Sequence, residues 1–123
     1  MTAVPLLAVS QGDPGGIGIE ITAKAWRRRQ DDGLDPFFLI GNSQTIITQI
    51  QALLPDVPVI DIDTPAAARE VFTRALPVLP LDMALSPAAA TVAAIRHGAF
   101  LCKKGEASAL VTNPIHKKRL YEA

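Results

Sequence analysis

A single cysteine, Cys102, excludes an intramolecular disulfide and a cysteine-based zinc site. The glycines near the N-terminus form no G-x-G-x-x-G, so the dinucleotide fingerprint is absent. No Gly-Lys-Ser/Thr follows them either, so the Walker loop is absent too. No apolar run approaches a membrane span, and no basic segment precedes a cleavable apolar one, so no membrane partner is expected and a reducing cytoplasm is the expected location. Twelve basic and twelve acidic residues cancel. Apart from Arg27-Arg28-Arg29 and Lys117-Lys118-Arg119 the cations are scattered, so there is no broad basic face and no nucleic-acid partner is expected. Both clusters read as solvated helix ends. Internal repeats and low-complexity tracts are also lacking beyond alanine-rich helix. What remains is 123 residues, about half apolar (49%), enough for one small domain with a packed core.

The chain is organised around Gln11-Gly12-Asp13-Pro14-Gly15-Gly16-Ile17-Gly18-Ile19-Glu20. An apolar run from Val4 to Val9 precedes it and a helical apolar period follows, so it marks a strand-to-helix turn. Such turns are where α/β proteins keep their sites. Four glycines within seven residues let backbone N–H groups approach a ligand closely, and the helix that follows would aim its positive end at the same place. The same residues also describe an ordinary turn, with Asp13 capping and Pro14 in the first helical turn. Both readings stand on these residues alone.

In chain order, Leu6 to Val9 reads as a buried first strand. Gly16 to about Arg29 reads as a helix carrying Ile17, Ile21 and Ala25 on one face and Ile19, Ala23 and Trp26 on the next, ended by Asp31-Asp32-Gly33. Pro36 to Ile40 is a second strand. Ser43 then caps a helix from Gln44 to about Leu54, stopped by Pro55, and Val57 to Ile62 is a third, shorter strand. The order β-α-β-α-β implies parallel strands and right-handed crossovers. The pattern weakens from Asp63 to Pro87. Ala66 to Thr73 fits a helical turn or two, with Thr64 as cap, and Leu76 to Leu81 fits an edge strand among Pro77, Pro80 and Pro87. Ser86-Pro87 opens the strongest helix, with Ala88, Val92, Ile95, Ala99 and Cys102 as its apolar stripe and Lys103-Lys104-Gly105 as its end. Cys102 is expected to be buried there, and His97, off that stripe, reads as a surface or packing histidine.

Ala109 to Thr112 is a further buried strand, and it runs into Asn113-Pro114-Ile115-His116-Lys117-Lys118. The carboxyl ends of adjacent parallel strands face one crevice, so Asp13 and Gly15-Gly16 could converge there with Asn113, His116 and Lys117. Lys117 would supply a cation, Asn113 a donor and an acceptor, and His116 a group titrating near neutral pH. A capped helix start with exposed charges accounts for the same residues. The fold class expected is α/β, three layers α/β/α around a mostly parallel sheet.

Taken together, Gly12-Asp13-Pro14-Gly15-Gly16-Ile17-Gly18-Ile19-Glu20 and the stretch from Gly105 to Lys117 resemble the 4-hydroxythreonine-4-phosphate dehydrogenase family of pyridoxal phosphate biosynthesis. The likeness spans nearly the whole chain in order and spacing. Ile19 stands where the family usually has proline, and Gly15 where alanine is common; neither change removes a polar group. The resemblance implies that residues 1–123 are the N-terminal α/β segment of a longer two-domain dehydrogenase, with an incomplete fold like that of isocitrate and isopropylmalate dehydrogenases. For the intact enzyme it implies NAD or NADP, a divalent metal (Zn, Mg or Co), a small phosphorylated hydroxy-amino-acid substrate and a homodimer. The family's Gly-His-Thr segment, its three metal-binding histidines and its later lysine, asparagine and arginine have no counterpart here. His97 and His116 do not match the metal positions, so no metal is assigned to this chain.

The expected function is thus that of a fragment of an NAD(P)-dependent dehydrogenase oxidising 4-phosphooxy-threonine and leading to its decarboxylation. Asp13, Gly15, Gly16, Asn113, His116 and Lys117 would lie near substrate, and the chain alone would be inactive. The rivals are a dehydrogenase of four-carbon sugar-acid phosphates, a phosphate acyltransferase-like enzyme, and a non-catalytic truncated module that binds or oligomerises.

Overall fold

The computed structural model describes residues 4–13, 17–81 and 84–114. Five strands, β1 (Leu7–Ser10), β2 (Phe37–Gly41), β3 (Val59–Asp61), β4 (Leu76–Pro80) and β5 (Ala109–Thr112), form one sheet in the order β3-β4-β2-β1-β5. Every pairing is parallel, as the alternation of strands and helices requires. The helices are α1 (Gly18–Arg27), α2 (Ser43–Leu53), α3 (Ala68–Phe72), preceded by a short 3-10 turn over Pro65–Ala67, and α4 (Pro87–Lys103).

The central strand β2 is apolar throughout because both of its faces are covered. Phe37 and Leu39 enter a cluster with Ile19, Ala23 and Trp26 of α1 and Ile46 and Ile50 of α2. Phe38 and Ile40 enter the opposite cluster, with Ala68 and Val71 of α3 and Ala94 and Leu101 of α4. This period of two across one strand produces three layers, α/β/α, as expected from the sequence. Trp26 ties the layers at one end. Its indole N–H donates to the Phe72 carbonyl (3.0 Å), and the Arg29 guanidinium lies 3.7 Å from its ring centroid. Arg29 is therefore a packing residue and not only a solvated helix end.

Several sequence expectations change. The strand at Leu76–Pro80 is interior, not an edge, because its prolines fall where the ladders do not need them. Pro77 precedes the first β2–β4 pair, Leu39↔Val78, and Pro80 lies past the last β3–β4 pair, Asp61↔Val78. β5 is the edge instead, and it is largely exposed. Helix α1 begins at Gly18 with no side-chain cap, so Asp13 is not its N-cap, and Ile17 and Ile21 face outward. Asn42, not Ser43, caps α2, its side chain accepting from the Thr45 N–H at 3.1 Å; Ser43 donates to Asp61 at 2.7 Å.

Helix α4 has the predicted bounds and the predicted Ser86 cap, but it buries a different face: Ala90, Thr91, Ala94, Gly98 and Leu101. The sheet comes so close that a Cβ on Gly98 would stand 2.5 Å from a Leu110 methyl, so small residues, not Val92 and Ile95, meet the sheet. Cys102, expected to be buried, is half-buried at the rim of that cluster, and His97 stacks on Phe100 (centroids 6.3 Å apart). Among the described residues no helix is long and apolar enough to cross a membrane.

Candidate functional site

The carboxyl ends of β1 and β5 lie side by side because the two strands pair in register, Ser10 opposite Thr112. Beyond that pair the chains stay joined, the Asp13 N–H donating to the Pro114 carbonyl at 3.0 Å. Asn113 fastens the junction from the side. Its amide nitrogen donates to the Ser10 carbonyl (3.0 Å) and to the Thr22 hydroxyl (2.8 Å), which in turn donates to the Gly18 carbonyl (2.8 Å). Both amide hydrogens of Asn113 are committed to the fold.

Gly12 makes the junction possible. Its φ is +76°, and a Cβ there would stand 2.6 Å from the Pro114 carbonyl oxygen and 2.9 Å from the Asn113 Cβ. Only glycine supplies both the left-handed backbone and the empty space. On its other side the Thr91 hydroxyl of α4 lies 3.2 Å from the Gly12 carbonyl and 3.0 Å from the Pro87 carbonyl. Strand end, edge strand, α1 and α4 therefore meet within a few residues of Gly12.

Gln11 extends this centre toward β2. Its Oε1 accepts from the Asn42 N–H at 2.7 Å, at the start of α2, and the missing side chain of Gly41 leaves room for it. The Gln11 Nε2 and the Ser10 Oγ are both buried without a hydrogen-bond partner among the described residues. Each such group costs on the order of 1–3 kcal/mol. Helices leave β1 and β2 toward one face and β3 and β4 toward the other, so among the described residues the connections diverge between β2 and β4. Gln11 is the side chain that reaches from β1 toward that divergence.

Of the six residues predicted for the cleft, Asp13 and Asn113 are brought together, through the backbone of Asp13 and the side chain of Asn113. Gly15, Gly16, His116 and Lys117 lie outside the described residues. Sequence reasoning missed Thr22, Thr91 and the linking role of Gln11. No sequence signal marked the two threonines, since the faces that α1 and α4 turn to the sheet are known only from the structure. Among the described residues no group of three His, Cys, Asp or Glu side chains could hold a metal ion. This part of the chain does not fit the divalent metal that the family resemblance implies.

Asn113→Ala is expected to lower stability by about 1–3 kcal/mol, because the Ser10 carbonyl loses its donor. Asn113→Asp, nearly isosteric, should be at least as damaging, since a carboxylate cannot donate and would face a carbonyl oxygen. Urea denaturation of the two variants checks this. Near-native stability of the aspartate variant would show that Asn113 only fills space.

An α/β segment whose strand ends are stapled at a glycine turn is the class of protein defined by these features. No family model matches the chain. Over 125 residues it is 44% identical to the 4-hydroxythreonine-4-phosphate dehydrogenase of Zymomonas mobilis, a match covering 94% of this chain and 36% of that enzyme. A solved 4-hydroxythreonine-4-phosphate dehydrogenase from Klebsiella pneumoniae superposes with a TM-score of 0.75 at 29% identity, over 97% of this chain and 40% of that one. One from Burkholderia phymatum, at 18% identity, has the same fold, with a TM-score of 0.83 over 98% of this chain and 39% of its own. Over most of its own length the chain is thus homologous to 4-hydroxythreonine-4-phosphate dehydrogenases, and it spans a little over a third of the length of the relatives it matches.

Proposed function

We propose that this chain is the N-terminal segment of an enzyme that oxidises the hydroxyl of 4-phosphooxy-threonine with NAD or NADP as hydride acceptor, the resulting 3-keto acid then losing carbon dioxide. The observation that carries this reading is the 44% identity to the Zymomonas mobilis enzyme over 94% of the chain. The segment supplies scaffold and one wall of the substrate cleft. On this reading Asp13, Gly15, Gly16, Asn113, His116 and Lys117 line that wall, and Lys117 supplies the cation nearest the substrate's anionic groups. Asn113 acts by holding the turn in place, which follows from its two amide hydrogen bonds. A divalent metal (Zn, Mg or Co) and the rest of the substrate ligands come from residues outside this chain, in a cytoplasmic homodimer. The chain alone is therefore inactive.

The test is a chimera in which this chain replaces the matching third of the Zymomonas mobilis enzyme. With 4-phosphooxy-threonine and NAD or NADP, the expected result is reduced nicotinamide at a rate within tenfold of the parent enzyme, and none from the 123-residue chain by itself. A chimera with a native circular dichroism spectrum and no turnover would overturn the proposal. Turnover only with erythronate or threonate phosphates would replace the substrate, and phosphate-dependent release of coenzyme A from an acyl thioester would replace the reaction.

A further inference from the structure

We infer that Gln11 is a positioning residue: its carboxamide fixes the Gly12–Asp13 turn against the start of α2, and with it the shape of the wall this chain gives to the proposed substrate cleft. It touches no substrate itself. Several constraints meet at this one residue, which is fully buried. Its N–H donates to the Ile40 carbonyl at 3.0 Å and its Oε1 accepts from the Asn42 N–H at 2.7 Å, so backbone and side chain are both tied to the end of β2. The side chain lies across the space that a Cβ on Gly41 would fill. Its carbonyl oxygen is 2.8 Å from where a Cβ on Gly18 would stand, against the first residue of α1, and the next residue is Gly12, whose left-handed φ begins the turn.

The same edge of the sheet carries a row of such links. Asn113 ties β5 to the Ser10 carbonyl, Gln11 ties β1 to Asn42, the Leu81 N–H donates to the Gly41 carbonyl (2.8 Å), and the Ser43 hydroxyl donates to Asp61 (2.7 Å). Every strand of the described sheet is thus held at or just past its carboxyl end, the end that open parallel sheets offer to ligands. A site precise to a fraction of an ångström needs supports of this kind.

Stability does not account for Gln11. The net gain from one neutral hydrogen bond is no greater than the cost of the buried Nε2 that the carboxamide brings with it, unpartnered among the described residues. Methionine would fill the same space without that donor, and the N–H of Asn42, a half-buried residue, can turn to water. What methionine lacks is the acceptor that sets the spacing. Only glutamine and glutamate supply a carbonyl or carboxylate oxygen at this reach.

Gln11→Met and Gln11→Glu therefore test the inference, since glutamate keeps the acceptor, loses the Nε2 donor and places its charge near the positive starts of α1 and α2. In the isolated chain, Gln11→Met is expected to keep the parent's urea midpoint while the amides of Asn42 and Asp13 exchange hydrogen at least tenfold faster. Gln11→Glu should restore both rates. In the Zymomonas mobilis chimera, Gln11→Met should lower kcat/KM at least tenfold, and Gln11→Glu should recover it to within about threefold. Faster exchange at Asn42 alone would overturn the inference, because the link would not reach the turn. So would a methionine variant with parental rates, a urea midpoint that falls in step with activity, or a natively folded glutamate variant as impaired as methionine. If glutamate fails to fold, the exchange pattern of the methionine variant decides. The kinetic comparison rests on the proposed reaction and the exchange comparison does not, so a chimera without turnover strikes only that reading.

Discussion

Gly12→Ala is expected to destabilise the chain by about 1–3 kcal/mol more than Gly33→Ala. Both glycines have left-handed backbones, φ +76° and +62°, so each alanine carries a similar backbone strain of roughly 1–2 kcal/mol. The two differ in their surroundings: the added methyl at Gly12 would meet the Pro114 carbonyl and Asn113, whereas among the described residues nothing stands within 4 Å of a Cβ at Gly33. The comparison isolates the contact from the conformation. Relief of the overlap at Gly12 must separate the ends of β1 and β5, so the variant should also speed hydrogen exchange at Asp13, whose N–H bonds Pro114. Denaturant melts of the two variants, side by side, check the first part. Equal losses would mean that the junction gives way at little cost and that Gly12 is needed for its φ alone.

Phe38→Ala should cost about 3–5 kcal/mol and lower the melting temperature by on the order of 15 °C. Phe38 is fully buried on the middle strand, in a cluster that includes Ala8, Ala68, Ala75 and Ala94. Alanine methyls sit close to their backbones and cannot swing into a vacated space, so only the larger members of the cluster, such as Leu79 and Leu101, could fill part of the cavity. With total stabilities of small domains at about 5–15 kcal/mol, such a loss can leave the chain largely unfolded at 37 °C. Calorimetry of the variant decides it, and a fall of only a few degrees would show that the α3/α4 face repacks readily.

These two sites also show what could be read from the chain and what could not. Phe38 belongs to a five-residue apolar strand between clear helices, and the β-α-β order around it fixes a parallel sheet with helices on both faces. Helix α4 was legible in length and cap but not in orientation. Val92 and Ile95 form the more conspicuous stripe, while the requirement for Ala90, Ala94 and Gly98 comes from the closeness of the sheet, a tertiary fact. The interior position of β4 was hidden for a related reason: Pro77 and Pro80 argue for an edge until the registers show which ladder positions they occupy. At the candidate site the strand-end glycines and Asn113 were evident as types. Their partners Thr22 and Thr91 were not, since a threonine within a helix has no pattern that distinguishes a staple from an ordinary surface residue.

The strand order also has a consequence in time. Of the described strands β1 is synthesised first, yet its second neighbour, β5, is synthesised last, and the Asn113 bond to Ser10 spans 103 residues. A nascent chain that has reached Pro80 already contains β1 to β4, but the flank of β1 awaiting β5 is still bare. At translation speeds of about 5–20 residues per second, that flank waits roughly 2–6 s for its partner, while α4 emerges and covers one face. For those seconds a ribosome-bound intermediate exposes a ready-made strand edge, so misassembly of this chain should begin at β1 and should be sensitive to codon choice between residues 81 and 108.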